Sequence, residues 1–126
     1  MAANQAPSST FKDDVVCKWQ NLLEDASRQV NKVPSPGPFL EQWVRDAGFV
    51  NVRHRVFKIP ANGWPKDPKL KLIGEWMTVN TISGLEGFSL RLLCDVLGWK
   101  EEEVLVLLVN VRKQLPSREW HGYWDW

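Results

Sequence analysis

At 126 residues, with 16 Lys and Arg against 15 Asp and Glu, the chain suits one domain with a modest core and carries no basic footprint for nucleic acid or an anionic membrane. No run of about 18 apolar residues is present to cross a membrane, and the first residues lack the basic and apolar regions of a secretory signal, so a cytoplasmic protein is expected. Tryptophan is the anomaly: eight of them exceed ordinary usage, and large aromatics line small-molecule pockets and protein interfaces as well as filling cores.

Residues 1–10 are polar and read as a disordered lead, with residues 11–126 as a single domain. Asp13 or Asp14 can cap a first helix over Asp14–Val30, where Val15, Val16, Trp19, Leu22, Leu23, Ala26 and Val30 make an apolar stripe. Val33-Pro34-Ser35-Pro36-Gly37-Pro38 breaks it, and Pro38 opens a second helix over Phe39–Ala47 that is expected to bury Phe39, Leu40, Trp43 and Val44 before Gly48 ends it. From Phe49 the period becomes two. Val50, Val52, His54 and Val56 alternate with Asn51, Arg53, Arg55 and Phe57, which predicts a half-buried strand ending before Pro60. No later segment reads as a second strand, so this one is expected to pair with a second copy or a partner, or to have lost its sheet.

Asp67 and Pro68 then start a third helix, from Lys69 to about Thr81, with Leu70, Ile73, Trp76, Met77 and Asn80 on one side. Gly84 and Gly87 punctuate the start of an apolar central helix carrying Leu85, Phe88, Leu92, Leu93, Val96 and Leu97, and Gly98 stands where a left-handed terminal residue is wanted. Glu101, Glu102 and Glu103 occupy the favourable first turn of a last helix over Glu101–Leu115, expected to be buried nearly all round through Val104–Val109. The tail from Ser117 to Trp126 holds four aromatics and His121, too apolar to stay in solvent. The fold class read from the residues is mainly α with one β-strand. Cys17 and Cys94 lie in helical patterns and read as free thiols of a reducing compartment.

Several ordered motifs then carry a resemblance: Ala47-Gly48-Phe49-Val50, Gly63-Trp64-Pro65-Lys66-Asp67-Pro68, Gly84-Leu85-Glu86-Gly87-Phe88-Ser89-Leu90, Val96-Leu97-Gly98-Trp99, Val111-Arg112, and His121 with Tyr123-Trp124. From about Phe11 to Trp124 the chain resembles the C-terminal half of the fungal class I S-adenosylmethionine-dependent methyltransferases related to the velvet-associated regulators of secondary metabolism. The resemblance implies a helical substrate cap of a Rossmann-like methyltransferase. The Gly-rich cofactor turn that such enzymes carry after a strand is not read here, because Gly84–Gly87 precedes an apolar helix without a preceding strand.

The same resemblance implies that Trp64, Trp76, Asn80, Glu86, Phe88 and Trp124 face a hydrophobic small-molecule substrate, with His121 and Tyr123 as candidate catalytic groups. A Trp- and Leu-lined cavity can fold a flexible chain into one reactive shape, and one donor from Tyr123, His121 or Asn80 would lower a cycloaddition barrier. His121 also suits general acid–base work, since imidazole titrates near neutrality. The expected function is therefore a cofactor-independent cyclase of the Diels–Alderase type, without methyl transfer and without a metal, acting as a homodimer or beside a methyltransferase. The alternative is a noncatalytic partner subunit or regulator of a full-length methyltransferase.

Overall fold

The computed structural model describes the backbone of residues 3–5 and residues 14–126. Helix α1 spans Val15–Gln29, and Asp14 caps it by accepting a bond from the Cys17 amide at 2.9 Å. One face buries Val16, Trp19, Ala26 and Ser27, and Asn31, at φ 56°, turns the chain away. The proline-rich bend follows, and α2 runs Gly37–Asp46 with Pro38 in its first turn.

The apolar face of α2 forms as the 3.6-residue period predicts, yet no described element covers it. Phe39, Leu40, Trp43 and Val44 are all exposed, Phe39 at 51%, and the helix buries none of its residues. Their expected burial is thus corrected: periodicity fixes which residues share a face, but a neighbour must supply the cover, and α2 packs substantially on no other described element. Phe39 and Trp43 instead stack on one another, ring centroids 5.8 Å apart.

The strand expected from Phe49 is corrected as well. Residues 49–56 form no ladder and Val50 is 81% exposed; pairing begins at Phe57, which exchanges backbone bonds with Trp126 at 2.7 and 2.8 Å, and continues as strand β2, Lys58–Pro60. Alternation marks two faces, whereas a strand exists only where a neighbour takes its backbone bonds. The single-strand architecture gives way to a three-stranded antiparallel sheet. The tail supplies its central strand β3, Gly122–Asp125, between β1, Ala3–Gln5, and β2, with Ala3 opposite Trp124 and Ile59 opposite Trp124 on the other side. Pro60, which has no N–H to donate, falls on an edge strand, where it is tolerated. Within the lead of residues 1–10, Ala3–Gln5 are this strand; the rest of that stretch lies outside the described residues.

Asp67 caps α3 through the Leu70 amide at 2.9 Å, and α3 then runs unbroken from Pro68 to Leu90, through both Gly84 and Gly87. Two helices were expected here. Each helical glycine costs about 1 kcal/mol, but neither removes a hydrogen bond, so tertiary packing carries the helix across them. The helix passes into a π-helical turn, Arg91–Val96, and stops at Gly98, φ 74°, as the sequence predicts.

Last comes α4, Glu101–Gln114, its three glutamates in the first turn and Glu103 accepting from the Lys100 amide at 3.0 Å. Val104, Leu107, Leu108 and Val111 are buried while Val106 and Val109 are exposed, so the helix has one inner face and is not surrounded. α1, α3, α4 and the π turn enclose the core. Gly74 holds the sheet end to α3: a Cβ there would collide with the carbonyl oxygen of Asn62.

Candidate functional site

Side chains alternate along β3, and this period divides the residues expected to share one site. Tyr123 faces a cleft of about 490 Å3 with Lys58, Pro60, Trp64 and Leu70. Trp64 is fixed there, its indole N–H donating to the Gly122 carbonyl at 2.9 Å and its ring stacked on His121 at 4.8 Å. The Lys58 ammonium sits 4.7 Å from the Tyr123 ring centroid, a cation–π contact.

Trp124 faces the other way. With Asn80 and Phe88 it lines a cleft of about 590 Å3 bounded by Trp19, Met77 and Arg91. Trp76, at 68% exposure, and Glu86 line neither cleft, and Glu86 pairs with Arg112 at 2.9 Å on the surface. The eight candidate residues are thereby placed as two groups of three, with Trp76 and Glu86 apart from both.

Three further tryptophans direct their N–H groups inward. Trp19 donates to Ser89 Oγ at 2.8 Å, Trp120 to Asp14 Oδ2 at 2.8 Å and Trp124 to Gln20 Oε1 at 3.4 Å. Satisfied in this way, these rings act as fixed walls rather than as ligand donors. Trp43, Trp76 and Trp126 are exposed.

A third cleft, about 550 Å3, was not anticipated from the sequence; Pro36, Leu40, His54, Val56 and Trp126 line it. His54 Nδ1 lies 3.7 Å from Glu41 Oε2, tying the 49–57 segment to α2. The Arg45 guanidinium holds the Glu41 carboxyl below the usual carboxylate range.

No group of three His, Cys, Asp or Glu among the described residues converges as a metal site. Nor do the described residues hold a glycine-rich turn after a strand of the kind that approaches a nucleotide cofactor. Gly84 and Gly87 lie within a helix, and the glycines with left-handed backbone, Gly48 and Gly98, each end a helix rather than follow a strand.

Burial, and then the Asp14 carboxylate, push the Cys17 thiol up to about 12 from an ordinary value of 9.0. Its protonated form therefore belongs to the folded state: unfolded chain loses the proton first, and stability falls as pH rises from about 9 toward 12. Iodoacetamide at pH 8 is expected to leave Cys17 unlabelled in the native chain and to label it in urea, read by peptide mass; stoichiometric native labelling would contradict its burial.

Methyltransferase pytC of Aspergillus terreus is 38% identical over 113 residues, and probable methyltransferase tdiE of Emericella nidulans is 38% identical over 114; each match covers 90% of this chain. The secondary metabolism regulator LAE1 of Cochliobolus heterostrophus is 30% identical over 112 residues, 88% of the chain. This chain is thus similar to fungal methyltransferases and to a regulator of fungal secondary metabolism. The chain spans only 35–36% of the length of these relatives. No family model matches, and no solved structure matches. No helix among the described residues is long and apolar enough to cross a membrane.

Proposed function

We propose that the chain is the substrate-side module of a methyltransferase-type fold in fungal secondary metabolism, and that it works docked against a partner chain that carries the S-adenosylmethionine-binding part. One observation carries this reading: α2 presents Phe39, Leu40, Trp43 and Val44 to solvent and buries nothing. Phe49, Val50 and Val56 extend the same kind of exposed apolar surface along residues 49–56, whose alternating pattern is that of a strand but which join no ladder among the described residues. Contiguous apolar surface of this extent marks an interface. The relatives support the choice of occupant, because about two thirds of their length lies outside the match and is available to cover such a face. Methyl transfer by this chain alone is not part of the reading.

The test mixes the chain with the portion of a pytC-type methyltransferase that lies outside the match and follows the mixture by size-exclusion chromatography with light scattering. A one-to-one complex is expected, weakened at least tenfold by Trp43→Ser with Val50→Ser, two exposed positions whose replacement leaves the fold intact. Failure to associate, equal binding by the double variant, or a homodimer that uses this face instead, would overturn it.

A second reading, a cyclase of the Diels–Alderase type, is favoured by the cleft between α1, α3 and β3. Its aromatic walls are fixed and it carries a donor in Asn80, and shape with one donor is what a pericyclic reaction asks of a protein. Conversion of a linear polyene precursor by the chain alone, lost in Asn80→Leu, is its expected signature.

A further inference from the structure

Among the described residues, two charged side chains line the cleft between α1, α3 and β3, Glu24 and Arg91. Glu24 is balanced: Ser35 Oγ donates to one carboxylate oxygen at 3.0 Å, and the Arg28 guanidinium lies 3.6 Å from the other. Arg91 has no carboxylate within ion-pair distance among the described residues, and the nearby Asn80 side chain forms no hydrogen bond there.

Both project from one row of α3 and its continuation. Met77, Asn80, Gly84, Phe88 and Arg91 recur at helical spacing along it. Gly84 contributes by having no side chain: a Cβ there would come 2.5 Å from the Phe88 ring, so the glycine lets that ring lie back along the helix. Arg91, with ordinary helical backbone at φ −62° and ψ −44°, is the first residue of the π-helical turn, a local widening that recurs at functional sites. Opposite stand Trp19 and Trp124, whose rings are held by Ser89 and Gln20.

We infer that this cleft binds a flat, largely apolar molecule bearing a single carboxylate, with Arg91 as the counter-charge and Asn80 as a second donor. The volume of about 590 Å3 admits a ligand of drug-like size. One unpaired guanidinium matches one carboxylate in a forked, charge-assisted pair; a phosphate, with its larger charge, would call for further cations, which the described lining does not hold. The inference supplies the substrate class for the cyclase reading and rests on that reading only for turnover.

Calorimetric titration of the full chain with 2-naphthoate and with its neutral amide, 2-naphthamide, tests it. Naphthoate is expected to bind about tenfold more tightly, the scale of one charge-assisted hydrogen-bond pair. Arg91→Gln should reduce naphthoate to the affinity of the amide while leaving amide binding unchanged, and Asn80→Ala should weaken naphthoate severalfold. Arg91 and Asn80 are exposed, so unchanged circular dichroism is expected of both variants. No naphthoate binding, equal binding of the two probes, or an equal loss for both in Arg91→Gln would overturn the inference. Charge-selective binding without conversion of a linear precursor upholds the site and overturns the cyclase reading alone.

Discussion

Trp120→Ala is expected to lower the free energy of unfolding by about 4 kcal/mol, measured by urea denaturation, within the range for emptying a buried aromatic site. Trp120 is fully buried and is the largest such side chain among the described residues. It also closes a long-range link: its indole N–H donates to Asp14 Oδ2 at 2.8 Å, while Asp14 Oδ1 caps α1 through the Cys17 amide at 2.9 Å. The ring lies so close over Gly122 that a Cβ there would collide with it, so it also sets how β3 leaves the core. Truncation leaves a void and removes one partner of the capping carboxylate. Trp120→Phe, which keeps most of the packing and loses the N–H, should cost about half as much. A domain of this size is stable by only about 5–15 kcal/mol, so the alanine variant approaches the threshold of folding.

Asn62→Asp is the second large effect, about 3 kcal/mol at neutral pH, because it changes hydrogen bonding with almost no change of shape. Asn62 is 1% exposed, and its amide nitrogen donates to the carbonyls of Leu115, Ser117 and Trp120 at 2.8, 3.0 and 3.1 Å. Its Oδ1 accepts from the Trp64 amide at 2.9 Å. One side chain thus holds the end of α4, the turn after it and the loop that carries Trp64. A carboxylate retains the bond from Trp64 but opposes three carbonyl oxygens with a fourth acceptor. If the variant unfolds at the same urea concentration as the wild type, this hub is not what joins the tail to the helices.

Where structure is decided by neighbouring residues, the sequence was readable. Asp14 and Asp67 cap the helices they were expected to cap, Gly98 ends the central stretch with positive φ, and Glu101–Glu103 begin α4. The residues from Gly84 to Gly87 misled because glycine weakens a helix without stopping it. The sheet was hidden for a different reason. Its strands are three or four residues long and join the two ends of the chain, so neither period nor composition marks them. Gly122-Tyr123-Trp124-Asp125 is too brief to display alternation, yet that alternation separates Tyr123 from Trp124 and divides the candidate site. The apolar face of α2 was correctly patterned, whereas the half-buried strand read from Phe49 did not form; the solvent exposure of both was not legible, because a pattern names the apolar side and says nothing of what covers it.

That uncovered surface is the centre of the account, and backbone hydrogen exchange tests it most directly. In the isolated chain the amides of residues 50–56, which belong to no ladder, are expected to exchange at nearly unprotected rates, while those of Leu108 and Val111 in the core stay protected. Adding the unmatched portion of a pytC-type methyltransferase should slow the 50–56 amides at least a hundredfold as the segment gains a strand neighbour, and should slow those of α2 with them. Strong protection of residues 50–56 in the chain alone, or no change when the partner is added, would contradict it.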